Sequence, residues 1–192
     1  GIAFIDPRQS QIDIIQAVGR AIRKSENKTF GTIVIPVYLS EIYENFNDQI
    51  LASKFSSVWK IILALKSQDD SLMEEIDSIR ISLGKKETRE GGTTGIKKVI
   101  IDLPEQVSLN FADKLQTILI QNTSDDWLER YGELKLFVEN NGHASPSSKS
   151  KEFKSLLTWC THQRGMHKKG KLSEKKIDLL NSLGFDLDPV ET

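Results

Sequence analysis

The chain has 192 residues, of which 38% are hydrophobic and 28% charged, with a formal net charge of −1. These are the proportions of a soluble globular protein with room for one or two domains and a real core. A net charge so near zero excludes a chain-wide basic signature for nucleic acid, so any such footprint has to be local.

The chain opens at Gly1 on a strand-like run, Ile2-Ala3-Phe4-Ile5, with no Met, basic leader or apolar leader, as expected of a cut within a domain. After Asp6-Pro7-Arg8-Gln9, Ser10 with Asp13 three residues on resembles a capping box, and a helix is expected to follow. Within it Ile15, Val18 and Ile22 recur at helical spacing, with Ile14 and Ala21 beside them. At about 100° per residue, Gln16, Arg20 and Arg23 fall together on the other face, next to Gly19. An amide and two guanidiniums side by side suit bidentate contact with phosphate. The plain alternative is an amphipathic helix with a solvated basic face.

The pattern Gln-x-x-Gly-Arg-x-x-Arg resembles motif VI of superfamily 2 helicases. The run FIDPRQSQIDIIQAVGRAIR resembles the end of the second RecA-like domain of bacterial DEAD/DEAH-type, ResIII-like enzymes. The resemblance implies that Gln16, Arg20 and Arg23 face ATP in a cleft shared with a first RecA-like domain. It makes Arg20 and Arg23 the catalytic pair, one of them an arginine finger, and Gly19 a close-packing position. ATP and Mg²⁺ are then cofactors of the full-length parent. None is expected on this chain alone, because it carries neither a Walker A sequence nor an acidic Mg²⁺-binding motif.

Ile33-Val34-Ile35-Pro36-Val37 reads as a second short strand, placed at an edge or strand end by its proline. Strand, helix, strand makes a βαβ-sized unit with parallel pairing. Residues 1–40 are therefore expected to be the C-terminal end of an α/β RecA-like domain.

Residues 41–122 are expected to form a mostly helical connector. Phe55, Val58, Trp59, Ile62 and Leu65 make one helical series, and Leu72, Ile76, Ile79 and Leu83 a second. A short polar loop between them suggests an antiparallel hairpin. The segment GKKETREGGTTG at 84–95 lacks both the spacing and the strand-to-helix context of a phosphate-binding loop, and reads as a plain loop. Val99-Ile100-Ile101 reads as a short strand. A further helix is expected after Pro104, carrying Val107, Phe111, Leu115, Ile118 and Leu119.

Between Asp102 and Glu139 there are eight acids against three bases, without a metal-ligand set, so a solvated face is expected. The charge then reverses. From His143 to Lys176 nine Lys or Arg stand against two acids. Such a block is a candidate footprint for a polyanion. Three helices can be drawn around it: one with Trp127, Tyr131, Leu134, Phe137 and Val138; one with Phe153, Leu156, Leu157 and Trp159 or Cys160; and one starting at Ser173 with Ile177, Leu180 and Leu183, stopped by Gly184. Phe185 is expected to fold back on the core. His143, His162 and His167 do not make a metal set and read as solvent or phosphate contacts.

Trp127, Tyr131, Leu134, the Gly142-x-Ala144-x-Pro146 turn, Trp159, Gln163-Arg164, Gly170-x-Leu172 and Leu183-Gly184-Phe185 resemble the helicase-associated domain, a three-helix module found after bacterial helicase cores. The resemblance places that domain at residues 123–192 and implies binding to nucleic acid, with DNA expected. Arg164, Lys168, Lys169, Lys171 and Lys175 are the candidate contacts. Leu187 stands where that family usually has an aromatic, so looser C-terminal packing is expected. Cys160 is the sole cysteine, which excludes an internal disulfide and fits a reducing, cytoplasmic setting. No apolar run reaches the roughly 18 residues of a membrane span, and no membrane partner is expected. The competing function class is a non-catalytic nucleic-acid-binding or protein-interaction adaptor. A Walker A motif and an Asp-Glu pair in the gene upstream of Gly1 would decide for the helicase.

Overall fold

The computed structural model describes residues 2–3, 16–17, 19–20, 32–37, 55–85, 96–102, 109–147 and 151–189. It divides into two compact units, one of residues 1–79 and 89–124 and one of residues 80–88 and 125–192. The expected junction at residue 40 lies outside the described residues.

In the first unit, β1 (Ile2–Ala3) pairs in parallel with β2 (Ile33–Val34), Ile2 opposite Ile33 and Ala3 opposite Val34. A parallel pair needs a long crossover, and Gln16, Ala17, Gly19 and Arg20 are helical within that crossover. Ala17, Ile33 and Ile35 pack against Ile61 and Ala64 of α1 (Ser56–Lys66). Helix α1 starts where the Phe55 carbonyl accepts the Val58 and Trp59 amides, and the Phe55 and Trp59 rings stack at 5.7 Å.

Helix α2 (Asp70–Gly84) is capped by Asp69, whose carboxylate accepts the Leu72 amide at 3.0 Å and the Ser71 hydroxyl at 2.8 Å. The hydrogen bond from Lys98, then those from Ser71 and Leu72, hold the Asp69 carboxyl down at about 2. The hairpin expected of α1 and α2 is not the main contact. Helix α1 instead packs on α3 (Leu109–Thr123). A three-residue polar loop brings two helices close, but buried area decides what each one packs on, and Leu115, Ile118 and Leu119 give α3 a wholly buried stripe. Lys66 ties the ends together, donating to Asp77 at 2.7 Å and to the Thr123 carbonyl at 3.1 Å.

The strand expected at Val99–Ile101 does not form. Residues 97–98 make a turn, with the Val99 amide bonded to the Ile96 carbonyl and the Lys97 amide to the Glu75 carboxylate. Ile96 is buried while Ile100 is 91% exposed. A β-rich run needs a neighbouring strand to complete its ladder, and among the described residues none stands beside it.

The second unit is built on α4 (Asp126–Asn141), α5 (Lys154–Lys168) and α6 (Glu174–Ser182). Its core joins Trp127, Tyr131, Leu134 and Phe137 of α4 to Leu156 and Cys160 of α5, Leu180 of α6, and then Phe185 and Leu187. Each large apolar side chain so buried contributes about 1.5–3 kcal/mol. The last turn of α2 belongs to this unit. There Gly84 and Gly132 let two backbones meet: a Cβ on Gly84 would lie 1.8 Å from the Glu129 carbonyl oxygen, and one on Gly132 would lie 2.1 Å from that of Ile81. Arg80, 4% exposed, reaches Asp126 at 2.6 Å and Glu129 at 2.8 Å across the same crossing. Among the described residues no helix is long and apolar enough to cross a membrane.

Candidate nucleic-acid interface

Each helix of the second unit starts and stops on local chemistry. Asp125 caps α4, its carboxylate accepting the Trp127 amide at 2.9 Å. Burial pulls the Asp125 carboxyl up, but the hydrogen bonds from Lys176 and Trp127 and the charges of Lys176 and Arg80 outweigh it and hold the group below its ordinary value. At the other end Gly142 adopts φ 74°, a left-handed cap that places its amide 2.8 Å from the Val138 carbonyl. Helix α6 starts where the Ser173 carbonyl accepts the Lys176 and Ile177 amides. It stops where the Leu180 carbonyl accepts the Phe185 amide at 3.1 Å.

The interior is pinned by one polar link. Trp127 Nε1 donates to Gln163 Oε1 at 2.9 Å, and Gln163 is itself buried. Without that acceptor the indole N–H would be stranded in the core. Lys176 spans the outer edge of this cluster, 2.7 Å from Asp125 and 5.1 Å above the Trp127 ring. Of the two alternatives on α5, Cys160 takes the fully buried position and Trp159 the half-buried one, tilted against Trp127 at 5.6 Å. Burial pushes the Cys160 thiol up to about 11, against the opposing pull of Arg164.

The candidate basic residues lie along the end of α5 and the turn into α6. Lys168 and Lys169 close α5, Lys171 follows the Gly170 turn, Lys175 lies in the first turn of α6, and all four are exposed. Arg164 is engaged within the fold: its Nε donates to the Asp186 carbonyl at 2.9 Å, and its guanidinium lies 4.7 Å over the Phe185 ring. This contact, with His167 Nε2 3.3 Å from Asp188, fastens residues 185–188 to α5. Leu187 is 7% exposed, so the looser packing expected there is not found: an aliphatic side chain fills the site because the segment is held from both sides. His143 stacks edge-on against Phe137 at 5.5 Å and accepts the Ser145 amide, so it too serves the fold.

Of the motif residues near the N-terminus, Gln16 and Arg20 are exposed and Ala17 is half-buried on α1, which gives that helical piece two unlike faces. A Cβ at Gly19 would meet nothing within 4 Å. Arg23 lies outside the described residues. Sequence reasoning passed over the outward side of α5, whose signal is chemical: no Asp or Glu occurs from Phe153 to Ser173.

No curated protein and no solved structure matches the chain. Residues 124–188 match the family model described as Helicase associated domain. That third of the chain, which spans the helices α4, α5 and α6, is therefore similar to a helicase-associated accessory region.

Proposed function

We propose that this chain is the C-terminal portion of a superfamily 2 ATP-dependent helicase or translocase, and that its three-helix unit is an accessory module that binds nucleic acid, DNA above all. In this reading residues 1–40 close the second RecA-like domain. Gln16, Gly19, Arg20 and Arg23 line an ATP cleft completed by a first RecA-like domain, with Arg20 and Arg23 stabilising charge on the γ-phosphate and Mg²⁺ held by that other domain. The observation that carries the reading is the family match at residues 124–188, on a unit whose exposed lysines cluster where α5 turns into α6. Support for the ATP-cleft part comes from the Gln-x-x-Gly-Arg-x-x-Arg spacing, with Gln16 and Arg20 both exposed.

Lysines that meet phosphates position a protein on nucleic acid without reading its sequence. Binding through Lys168, Lys169, Lys171 and Lys175 is accordingly weak, in the range of roughly 10⁻⁴ to 10⁻⁶ M at physiological salt. Each neutralised phosphate adds about 0.9 to the slope of log K against log salt, so four lysines give a slope near −3.6. Replacing Lys168 and Lys169 by Ala weakens binding about equally for unrelated duplexes and lowers the slope by nearly 2. Fluorescence anisotropy across a salt series, with two unrelated duplexes and a single strand, reads both quantities. Binding indifferent to salt, or none at low salt, overturns the nucleic-acid reading and leaves a protein-contact role for the module.

A further inference from the structure

Helix α5 buries Leu156, Cys160 and Gln163 along one side. At about 100° per residue, Lys154, Ser155, Thr158, Thr161, His162 and Lys168 fall within one arc on the opposite side. All six are exposed. Gly165 lies in the middle of that arc, and a Cβ there would meet nothing within 4 Å. Three properties of this face stand together. It carries no acid, in a chain with 27 of them. It has a lysine at each end of the helix. Between the lysines it carries no large apolar side chain, so it lacks the buried anchor on which protein-protein contacts depend.

From these we infer that the outward face of α5 enters the major groove of duplex DNA, with Lys154 and Lys168 on the phosphates at either edge. The inference rests on the nucleic-acid reading above and gives it a substrate form and a docking element. The dimensions agree. The 15 residues of α5 make a rod about 22 Å long and, with side chains, about 10–12 Å across. The major groove is about 12 Å wide and admits one helix. Small residues along the middle of the face let the rod approach the base edges. The lysines at its two ends then lie over the phosphate walls, where their charge is complementary.

The face also sets how much sequence it reads. Thr158 Oγ1 donates to the Lys154 carbonyl and Thr161 Oγ1 to the Leu157 carbonyl, each at 3.0 Å. With both hydroxyls turned back on the helix, His162 is the side chain left mid-face with ring nitrogens for a base edge. Discrimination among sequences is therefore slight, and groove entry itself is the property to test.

The experiment uses the full chain and one duplex sequence in two forms, with plain cytosine and with glucosylated 5-hydroxymethylcytosine. The sugar fills the major groove and leaves the backbone charge unchanged. Expected is a loss of affinity of about tenfold or more on the glucosylated form, the scale of a lost base-edge contact. In parallel, Thr158→Glu weakens binding to the plain duplex about tenfold, by the same measure. Asn140→Glu, which puts the same charge at an exposed position of α4, has a clearly smaller effect. Circular dichroism melts establish that both variants fold. Equal affinity for the two duplex forms overturns groove docking, as does binding to a single strand alone, and either result leaves the nucleic-acid reading standing. Absence of binding to every DNA at low salt overturns that reading itself.

Discussion

Cys160 shows how far a residue's chemistry is set by its surroundings. It has no solvent exposure, and burial lifts its thiol to about 11. The thiolate is the reactive form, so at neutral pH both access and ionisation are denied. Native protein is expected to react with Ellman's reagent slower by orders of magnitude than protein in denaturant, with one thiol titrated after unfolding. Rapid reaction of the folded chain would mean that α5 opens readily from the core. Arg164 shows how one side chain can be tied into the fold: it stands in a basic run, and its Nε and its stacking on Phe185 bind it to the C-terminal segment.

At the level of elements, the crossing of α2 and α4 carries the tightest constraint in the second unit. Glycine inside a helix ordinarily costs about 1 kcal/mol relative to Ala, so replacing an unconstrained helical glycine by Ala stabilises. Gly132 reverses that sign. The new methyl would stand 2.1 Å from the Ile81 carbonyl oxygen, against backbone that cannot swing aside as a side chain could. Overpacking of this kind costs typically 1–3 kcal/mol. Gly132→Ala is therefore expected to lower the thermal midpoint, while Gly165→Ala, whose Cβ meets nothing within 4 Å, leaves it unchanged or raises it. Equal responses in the two variants would show that the helices at the crossing separate without cost.

For the whole molecule, the decisive question is whether Arg20 and Arg23 serve catalysis in a longer enzyme. In the ATP-hydrolysing protein proposed to contain this chain, Arg23→Ala is expected to reduce turnover by about 10³, the low end for a lost arginine finger. Arg20→Ala is expected to act similarly. Arg20 is exposed in this fold, so its loss leaves the thermal midpoint in place. Unchanged ATPase rates in both variants would remove the motif helix from the active site and favour the adaptor reading.

What the sequence determined by itself is what neighbouring residues decide among themselves. The start of α4 at Asp125, the stop of α6 before Gly184 and the return of Phe185 to the core follow from capping and from a 3.6-residue period, interactions that span a turn or two of chain. The opposed faces of α5 are legible in the same way once its acid-free stretch is noticed. Tertiary structure decided the rest. Val99–Ile101 has the composition of a strand but, among the described residues, no neighbouring strand to bond. Leu187 fills its site because Arg164 and His167, on α5, hold the segment around it. The last turn of α2 joins the second unit because Gly84 meets Gly132, 48 positions on in the sequence. Each of these depends on a partner brought near by folding, and the energy of such a contact is absent from any local window of sequence.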